Sequence, residues 1–427
     1  SYMNMLGEAR FWIIDKLRGT NIVATLNKLS EEQFLDPKTL ADLSVSNHKQ
    51  LVEKIAPDTP YYTTLGPAVL SSVLTKDIIR QNTAAFFSKS FTRKKFTKGT
   101  GGSTGDPLVY YTTSEAQSFM WAGILLSWKA LGYQLGDKVA FVAGTSLGKN
   151  DFKHKLFHQL MNVTNYSAYH LNDNDIESYL GSIINSKTKL IYGYATAINR
   201  LAEFILKNQH AYTFPDLKGI VTTAEILSDK HRDNIGQAFN VKVHNQYGCN
   251  EAGISAFECD FGNLHYINTA TKIEFDLDGN VLATNLVNKA FPMVRYFTGD
   301  KFEVIEYVSC PCKRGYPIIE NFLGRTCDLV IDKRNKVMHS AFFTILFRDN
   351  EHIEQFQVQF NDHKLTIYLQ LDSNHLPEEM FTHYMEVIKK KLEFDEYALE
   401  INVPFLKAEN AKHRYVINTA LSDTTPA

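Results

Sequence analysis

The chain has 427 residues, 44% of them hydrophobic, with a formal net charge of −2. That length suggests two or three domains around a sizeable soluble core, and the near-neutral charge argues against a dedicated nucleic-acid binder. The longest apolar run, Phe119 to Trp128, is about half the length a membrane span needs. Five cysteines in so long a chain make no disulfide framework. Ser1-Tyr2-Met3-Asn4-Met5 lacks a basic stretch followed by an apolar one, so no signal peptide and a reducing cytoplasm are expected.

Residues 1 to about 90 read as helical, broken at Pro37, Pro57, Pro60 and Pro67, with Thr75 as the N-cap of a helix over 76–80. A glycine-rich stretch follows, then a short strand at Val109-Tyr110-Tyr111. Ser114 to Leu131 has the helical period, with Met120, Ile124, Trp128 and Leu131 on one face and Gly132 as a stop. Strands at 138–143, 190–194, 219–223 and 241–245 alternate with helices at 176–184, 197–207 and 228–239. That alternation predicts an α/β fold, with mainly parallel sheets flanked by helices. After residue 255 the rhythm changes. Residues 273–277 and 281–284 alternate around Asp278-Gly279-Asn280, a hairpin turn, and 302–307 alternates too. From Asp328 a hairpin (356–360 and 365–371) and a helix from Pro377 to about Leu392 read as a small α+β domain. The expected division is 1–327, with a β-rich part at about 256–325, and 328–427.

The stretch Thr97 to Pro107 packs glycines at 99, 101, 102 and 105 with the hydroxyls of Thr100, Ser103 and Thr104, beside Lys98. Glycine lets backbone amides approach a ligand, and consecutive amides make an anion nest, so a polyphosphate is the simplest ligand. The spacing is not that of a Walker A loop, and a surface turn is the competing reading. Four further clusters fall where strands end or domains join, which is where open α/β sheets bind ligands. Thr222-Thr223-Ala224-Glu225 offers small residues beside a flat ring. Asn245-Gln246-Tyr247-Gly248-Cys249-Asn250-Glu251 offers an aromatic to stack and a carboxylate for magnesium. Thr298-Gly299-Asp300 offers a carboxylate for ribose hydroxyls. Gly324-Arg325-Thr326-Cys327-Asp328 offers an arginine at the expected domain boundary. Each alone could be an ordinary turn.

In this order, the clusters resemble those of the adenylate-forming superfamily: acyl-CoA ligases, nonribosomal adenylation domains and luciferases. Thr100 to Pro107 resembles its phosphate loop, Tyr247 to Glu251 its Tyr-Gly-x-Thr-Glu motif, Tyr296 to Asp300 its ribose motif, and Gly324 to Asp328 its hinge motif. The resemblance runs from about Leu74 to the C-terminus. Residues 73–80, 191–194, 262–265 and 411–417 resemble the phenylacetate–CoA ligase and CapK-like branch, the last carrying the terminal lysine motif at Lys412. The resemblance implies a carboxylic acid activated by ATP with Mg²⁺ to an acyl-adenylate, then transferred to an acceptor, CoA first. It implies that Thr100, Gly101, Gly102, Ser103, Thr104 and Gly105 grip phosphate. Thr223, Ala224, Glu225, Asn245, Gln246, Tyr247 and Gly248 would enclose the base or substrate. Asp300 would hold the ribose, Glu251 Mg²⁺, and Lys412 and Arg325 the developing charge. Lys412 would then ride on a lid that closes for adenylation and swings away for transfer.

The chain departs from the pattern in three places. Asn250 replaces a threonine, Cys327 replaces an acidic hinge residue, and Asp332-Lys333-Arg334-Asn335-Lys336 replaces a glycine-rich loop that shapes the thioester-forming state. The last departure admits other acceptors: a carrier-protein thiol, an amine or a sugar hydroxyl. A catalytically silent nucleotide- or carboxylate-binding protein is the alternative from another class. The acid is expected between about Tyr133 and Tyr247, where Tyr166, Tyr169, Tyr192 and Tyr194 suggest an aromatic or apolar lining. Cys310-Pro311-Cys312 with Cys259 and His265 would make a Cys3His zinc site, against the reading of free intracellular thiols.

Overall fold

The computed structural model describes residues 2–100, 108–144, 152–168, 171–208, 211–307, 309–325, 329–407 and 412–420. It opens with helices α1 (Tyr2–Arg18), α2 (Ile22–Glu32), α3 (Pro37–Gln50), α4 (Pro60–Leu65) and α5 (Lys76–Gln81). Pro37 and Pro60 begin helices rather than break them, since the first helical residue needs no amide hydrogen. Asp36 caps α3 through the Thr39 amide at 3.0 Å, and Thr75 caps α5 through the Ile78 amide at 3.3 Å.

Strands β1 (Phe96–Gly99) and β2 (Val109–Thr112) pair as an antiparallel hairpin. There follow α6 (Ser114–Lys129), β3 (Val139–Ala143), α7 (Phe152–Leu160), β4 (Val163–Ser167), α8 (Asp173–Asn185), β5 (Leu190–Tyr194), α9 (Ala195–Lys207), β6 (Gly219–Thr223), α10 (Asp229–Phe239) and β7 (Val243–Cys249). Thr113, Asn172 and Ser228 cap α6, α8 and α10 through side-chain oxygens. Then come β8 (Ile254–Glu258), β9 (Leu264–Tyr266), β10 (Thr271–Phe275), β11 (Val281–Asn285), β12 (Tyr296–Phe297), β13 (Asp300–Ile305) and β14 (Ile318–Arg325).

One nine-stranded sheet runs in the order β13-β14-β9-β8-β7-β6-β5-β3-β4. The neighbours from β4 to β7 are parallel, and those from β7 to β13 are antiparallel. The β-rich stretch therefore mostly extends the α/β sheet. Among the described residues of that stretch, β10, β11 and β12 form a separate sheet. The switch happens within β7, whose first half bonds β6 and whose second half bonds β8. This pairing carries β7 on through Gln246 to Cys249, residues expected to follow the strand rather than belong to it. Alternating side chains feed two cores. Val139, Leu190 and Val221 pack under α2 and α6, while Val142, Ile191 and Ile220 pack under α8, α9 and α10. Gly193 on β5 lies where a Cβ would fall 1.9 Å from the Val142 carbonyl oxygen, so only glycine lets the two strands meet there.

The rest of the chain forms a two-stranded hairpin, β15 (Leu329–Ile331) and β16 (Val337–His339), then α11 (Ser340–Phe347), β17 (Ile353–Phe360), β18 (Lys364–Leu371), α12 (Glu378–Lys391), β19 (Glu396–Ile401) and β20 (Val416–Asn418). The four-stranded sheet β19-β18-β17-β20 has its own core around Phe343, Phe356, Ile367, Tyr384 and Ile388. Among the described residues, no helix is long and apolar enough to cross a membrane.

Candidate active site

A cavity of about 320 Å³ opens at the carboxyl ends of β6 and β7, a size within the range of small-molecule sites. Its walls gather Thr223, Ala224, Glu225, Asn245, Gln246, Tyr247 and Gly248 from those strands. Lys412, His413, Arg414 and Tyr415 come in from the segment before β20, far away in sequence. Ala116, Phe119, Met120 and Ile124 of α6 add an apolar part to the lining, as do Leu264 and Val287.

The polar wall is internally bonded. Gln246 Oε1 accepts from Tyr192 Oη at 2.9 Å and from Thr223 Oγ1 at 2.6 Å. Asn245 Oδ1 accepts from Thr222 Oγ1 at 3.1 Å. Such bonds hold the side chains before any ligand arrives. Ala224 sits at φ 68°, a left-handed backbone that a side chain beyond Cβ would make harder to hold. Glu225 is buried. Its carboxylate accepts from Thr196 N at 3.0 Å, Thr196 Oγ1 at 2.8 Å and His413 N at 2.7 Å. Burial pushes its pKa up, while these bonds and the Lys412 charge pull it back. His413 is lowered to about 4, above all by burial, and its Nε2 lies 3.0 Å from the Phe356 carbonyl oxygen, so the neutral ring donates there.

Asp300 opens β13 and is buried. Tyr247 Oη donates to its Oδ2. Arg325 stands opposite Asp300 in the β13–β14 register, and its side chain lies outside the described residues. Glu251 is half-buried, its carbonyl accepts from Asn285 Nδ2 at 3.2 Å, and its Oε1 receives a long 3.4 Å contact from Tyr296 Oη. Thr100 closes the neck of the glycine-rich loop. Its amide donates to Leu108 O and its Oγ1 accepts from Leu108 N, both at 2.9 Å. Gly101, Gly102, Ser103, Thr104 and Gly105 lie outside the described residues, as do Cys327, Asp328 and Tyr169. The expected tyrosine lining needs correction. Tyr192 reaches the cavity, but Tyr166 packs under α8 and α9 on the other face of the sheet, and Tyr194, the last residue of β5, packs against that same core.

A second constellation is separate. Ligand atoms of Cys259, His265, Cys310 and Cys312 all lie within 4.8 Å of one another. Cys259 Sγ and Cys310 Sγ are 3.8 Å apart, and Cys312 Sγ is 3.3 Å from His265 Nε2. Two thiolates at tetrahedral corners about 2.3 Å from one zinc ion would stand about 3.8 Å apart. His265 Nδ1 lies 2.8 Å from the Tyr316 carbonyl oxygen, which fixes the ring with Nε2 toward the sulfurs. Asn263 Nδ2 and the Arg314 amide point at the sulfurs of Cys310 and Cys312, at 3.3 and 3.4 Å.

Sequence reasoning missed the α6 wall, Thr196, Asn285 and His413. The α6 wall has the same helical period as a core face, and nothing in a single sequence separates the two.

No family model matches the chain. It is 29% identical to Protein CapK of Staphylococcus aureus over 312 residues, 70% of this chain and 69% of that protein. A 2-hydroxyisobutyryl-CoA ligase in the postadenylation state superposes with a TM-score of 0.60 at 14% identity, covering 91% of each chain. The same ligase with 2-HIB-AMP and CoA in the thioesterification state superposes at 0.51 and 15% identity, covering 90% of this chain and 89% of that one. The fold is that of the adenylate-forming ligases, and the sequence is CapK-like.

Proposed function

We propose that the protein condenses a carboxylic acid with ATP to an acyl-adenylate and then passes the acyl group to an acceptor. The observation that carries this reading is the convergence of Lys412 on a cavity built by 223–225 and 245–248. In the first step a carboxylate oxygen attacks the α-phosphorus, the bond to the bridging oxygen breaks, and pyrophosphate leaves with the electron pair. Negative charge gathers around the α-phosphate, and we assign Lys412 and Arg325 to meet it. The bonded wall of Thr223, Asn245 and Gln246, with Ala224 and Gly248, encloses the adenine. Tyr247 lies beside ring and substrate, Asp300 holds the ribose, and the loop from Thr100 to Gly105 grips phosphate beside Lys98. The α6 part of the lining, with Phe119, Met120 and Ile124, receives an apolar acid. Mg²⁺ would supply charge neutralisation on the phosphates. Glu251 fits it as ligand, because among the described residues its Oε1 receives only a long contact from Tyr296 Oη, which leaves carboxylate lone pairs for a cation. Residues 328–427 act as the lid on 1–327.

CoA is the first acceptor to test. One observation keeps the others in view. The 332–336 turn is locked by Asp332, which accepts from the amides of Arg334, Lys336 and Glu393. Asn335, at φ 62°, takes the place a glycine would have. ATP–pyrophosphate exchange with a panel of apolar and aromatic acids tests the activity. Exchange that depends on one acid is expected. ATP binding without exchange for any acid would identify a silent binder instead.

The Cys259, His265, Cys310 and Cys312 cluster fits zinc as a structural ion joining the β8–β9 turn to the stretch before β14. Metal analysis of purified protein should find about one equivalent of zinc, as for a closed four-ligand site, lost together with thermal stability in Cys310→Ser. Less than about half an equivalent would leave these residues as buried thiols and an imidazole.

A further inference from the structure

Lys412 enters the cavity from the four-stranded sheet, so its place depends on what holds that sheet against α10. Two ion pairs join them. Lys230 Nζ on α10 lies 2.8 Å from Glu354 Oε1 and 3.2 Å from Asp372 Oδ2. These carboxylates are neighbours because Ile353 pairs with Leu371 at the end of the β17–β18 hairpin. The three side chains are 32%, 15% and 32% exposed. His352 Nδ1 also reaches Asp372 at 3.1 Å, and Glu203 of α9 faces Glu354 closely enough for their charges to oppose. From Glu354 the connection to Lys412 is short. Phe356, two residues along β17, offers its carbonyl to His413 Nε2, and the His413 amide donates to Glu225 across the gap.

We propose that Lys230 is a positioning residue. By clasping Glu354 and Asp372 it sets β17, and through His413 it sets Lys412, in the pose that serves adenylate formation. The inference rests on the activity proposed above. A partly exposed ion pair contributes little net stability and weakens with salt. That suits a contact that must open in every turnover, where a large apolar interface would resist opening. Glu225 then has a second task beside lining the cavity, since it anchors the first turn of α9 and the Lys412 segment with one carboxylate.

The test compares Lys230→Glu, Asp372→Asn and the swap Lys230→Glu/Glu354→Lys with wild type. Three quantities are measured: pyrophosphate exchange, acyl transfer from preformed acyl-adenylate, and hydrogen–deuterium exchange at the His413 amide without substrate. Lys230→Glu should slow pyrophosphate exchange by about tenfold, within the usual range of coupling between sites, and change transfer by less than about threefold. It should speed amide exchange at His413, and the swap should restore most of both losses. Asp372→Asn, a milder change, should show the same pattern at smaller size and serves if Lys230→Glu does not fold. Equal slowing of both half-reactions, or no change in either, would overturn the proposal. If wild type activates no acid, the activity reading fails by itself. The amide measurement then still decides, because unchanged protection of His413 in both variants overturns the clasp.

Discussion

Lys412→Ala should lower the rate of adenylate formation by about 10²–10³, the usual cost of removing one preorganised charge stabiliser. Acyl transfer from a supplied acyl-adenylate should stay within about threefold of wild type. Lys412 lines the cavity at the ends of β6 and β7, and its charge is felt by the buried Glu225 carboxylate. An ammonium acts as a point charge, so it stabilises most where charge builds, around the α-phosphate as pyrophosphate leaves. Transfer builds charge at the acyl carbon instead, and in the lid reading Lys412 has by then moved away. The variant should fold, because Lys412 is half-exposed and the neighbouring His413 and Tyr415 keep their places in the small core. A uniform loss in both half-reactions, or in neither, would remove Lys412 from this role.

Most of the α/β half of the fold was legible because β3, β5 and β6 are short apolar runs alternating with helices, of which α8 and α10 start at capping side chains. Leu190–Tyr194 and Gly219–Thr223 match their expected bounds residue for residue. The antiparallel half was harder to read. All five residues of β8 are buried and show no alternation, and β9 is three residues long, so neither carries a period-two signal. α7 and β4 were also missed, and α7 buries none of its residues. The site residues were picked out by motif rather than by periodicity. Nothing in the pattern tells a strand-end tyrosine that faces the cavity, Tyr192, from one that packs into the core, Tyr166. The tie between Tyr247 and Asp300 joins residues far apart in sequence and could not be read from spacing.

Asp300→Ala should raise the Michaelis constant for ATP by about tenfold or more, since hydrogen bonds to a charged group contribute about 1.5–3 kcal/mol each. The fold adds a complication that the sequence did not signal. Asp300 is 2% exposed, its Oδ2 accepts from Tyr247 Oη, and its amide donates to Thr298 Oγ1 at 3.1 Å. Alanine would therefore also remove the acceptor of the Tyr247 bond, at a stability cost of about 1–3 kcal/mol. Asp300→Asn separates the two effects. Its amide oxygen can still accept from Tyr247, so the thermal midpoint should stay closer to wild type, while the charge that strengthens a ribose contact is gone. Tyr247→Phe makes the converse change, breaking the tie and leaving the carboxylate. If Asp300 holds the ribose, Asp300→Asn should weaken ATP more than Tyr247→Phe does, and Asp300→Ala should weaken it most. If Asp300 serves only to fix Tyr247, Tyr247→Phe should weaken ATP more than Asp300→Asn, which keeps the tie. An ATP constant within about threefold of wild type in a folded Asp300→Ala protein would take Asp300 out of the nucleotide site.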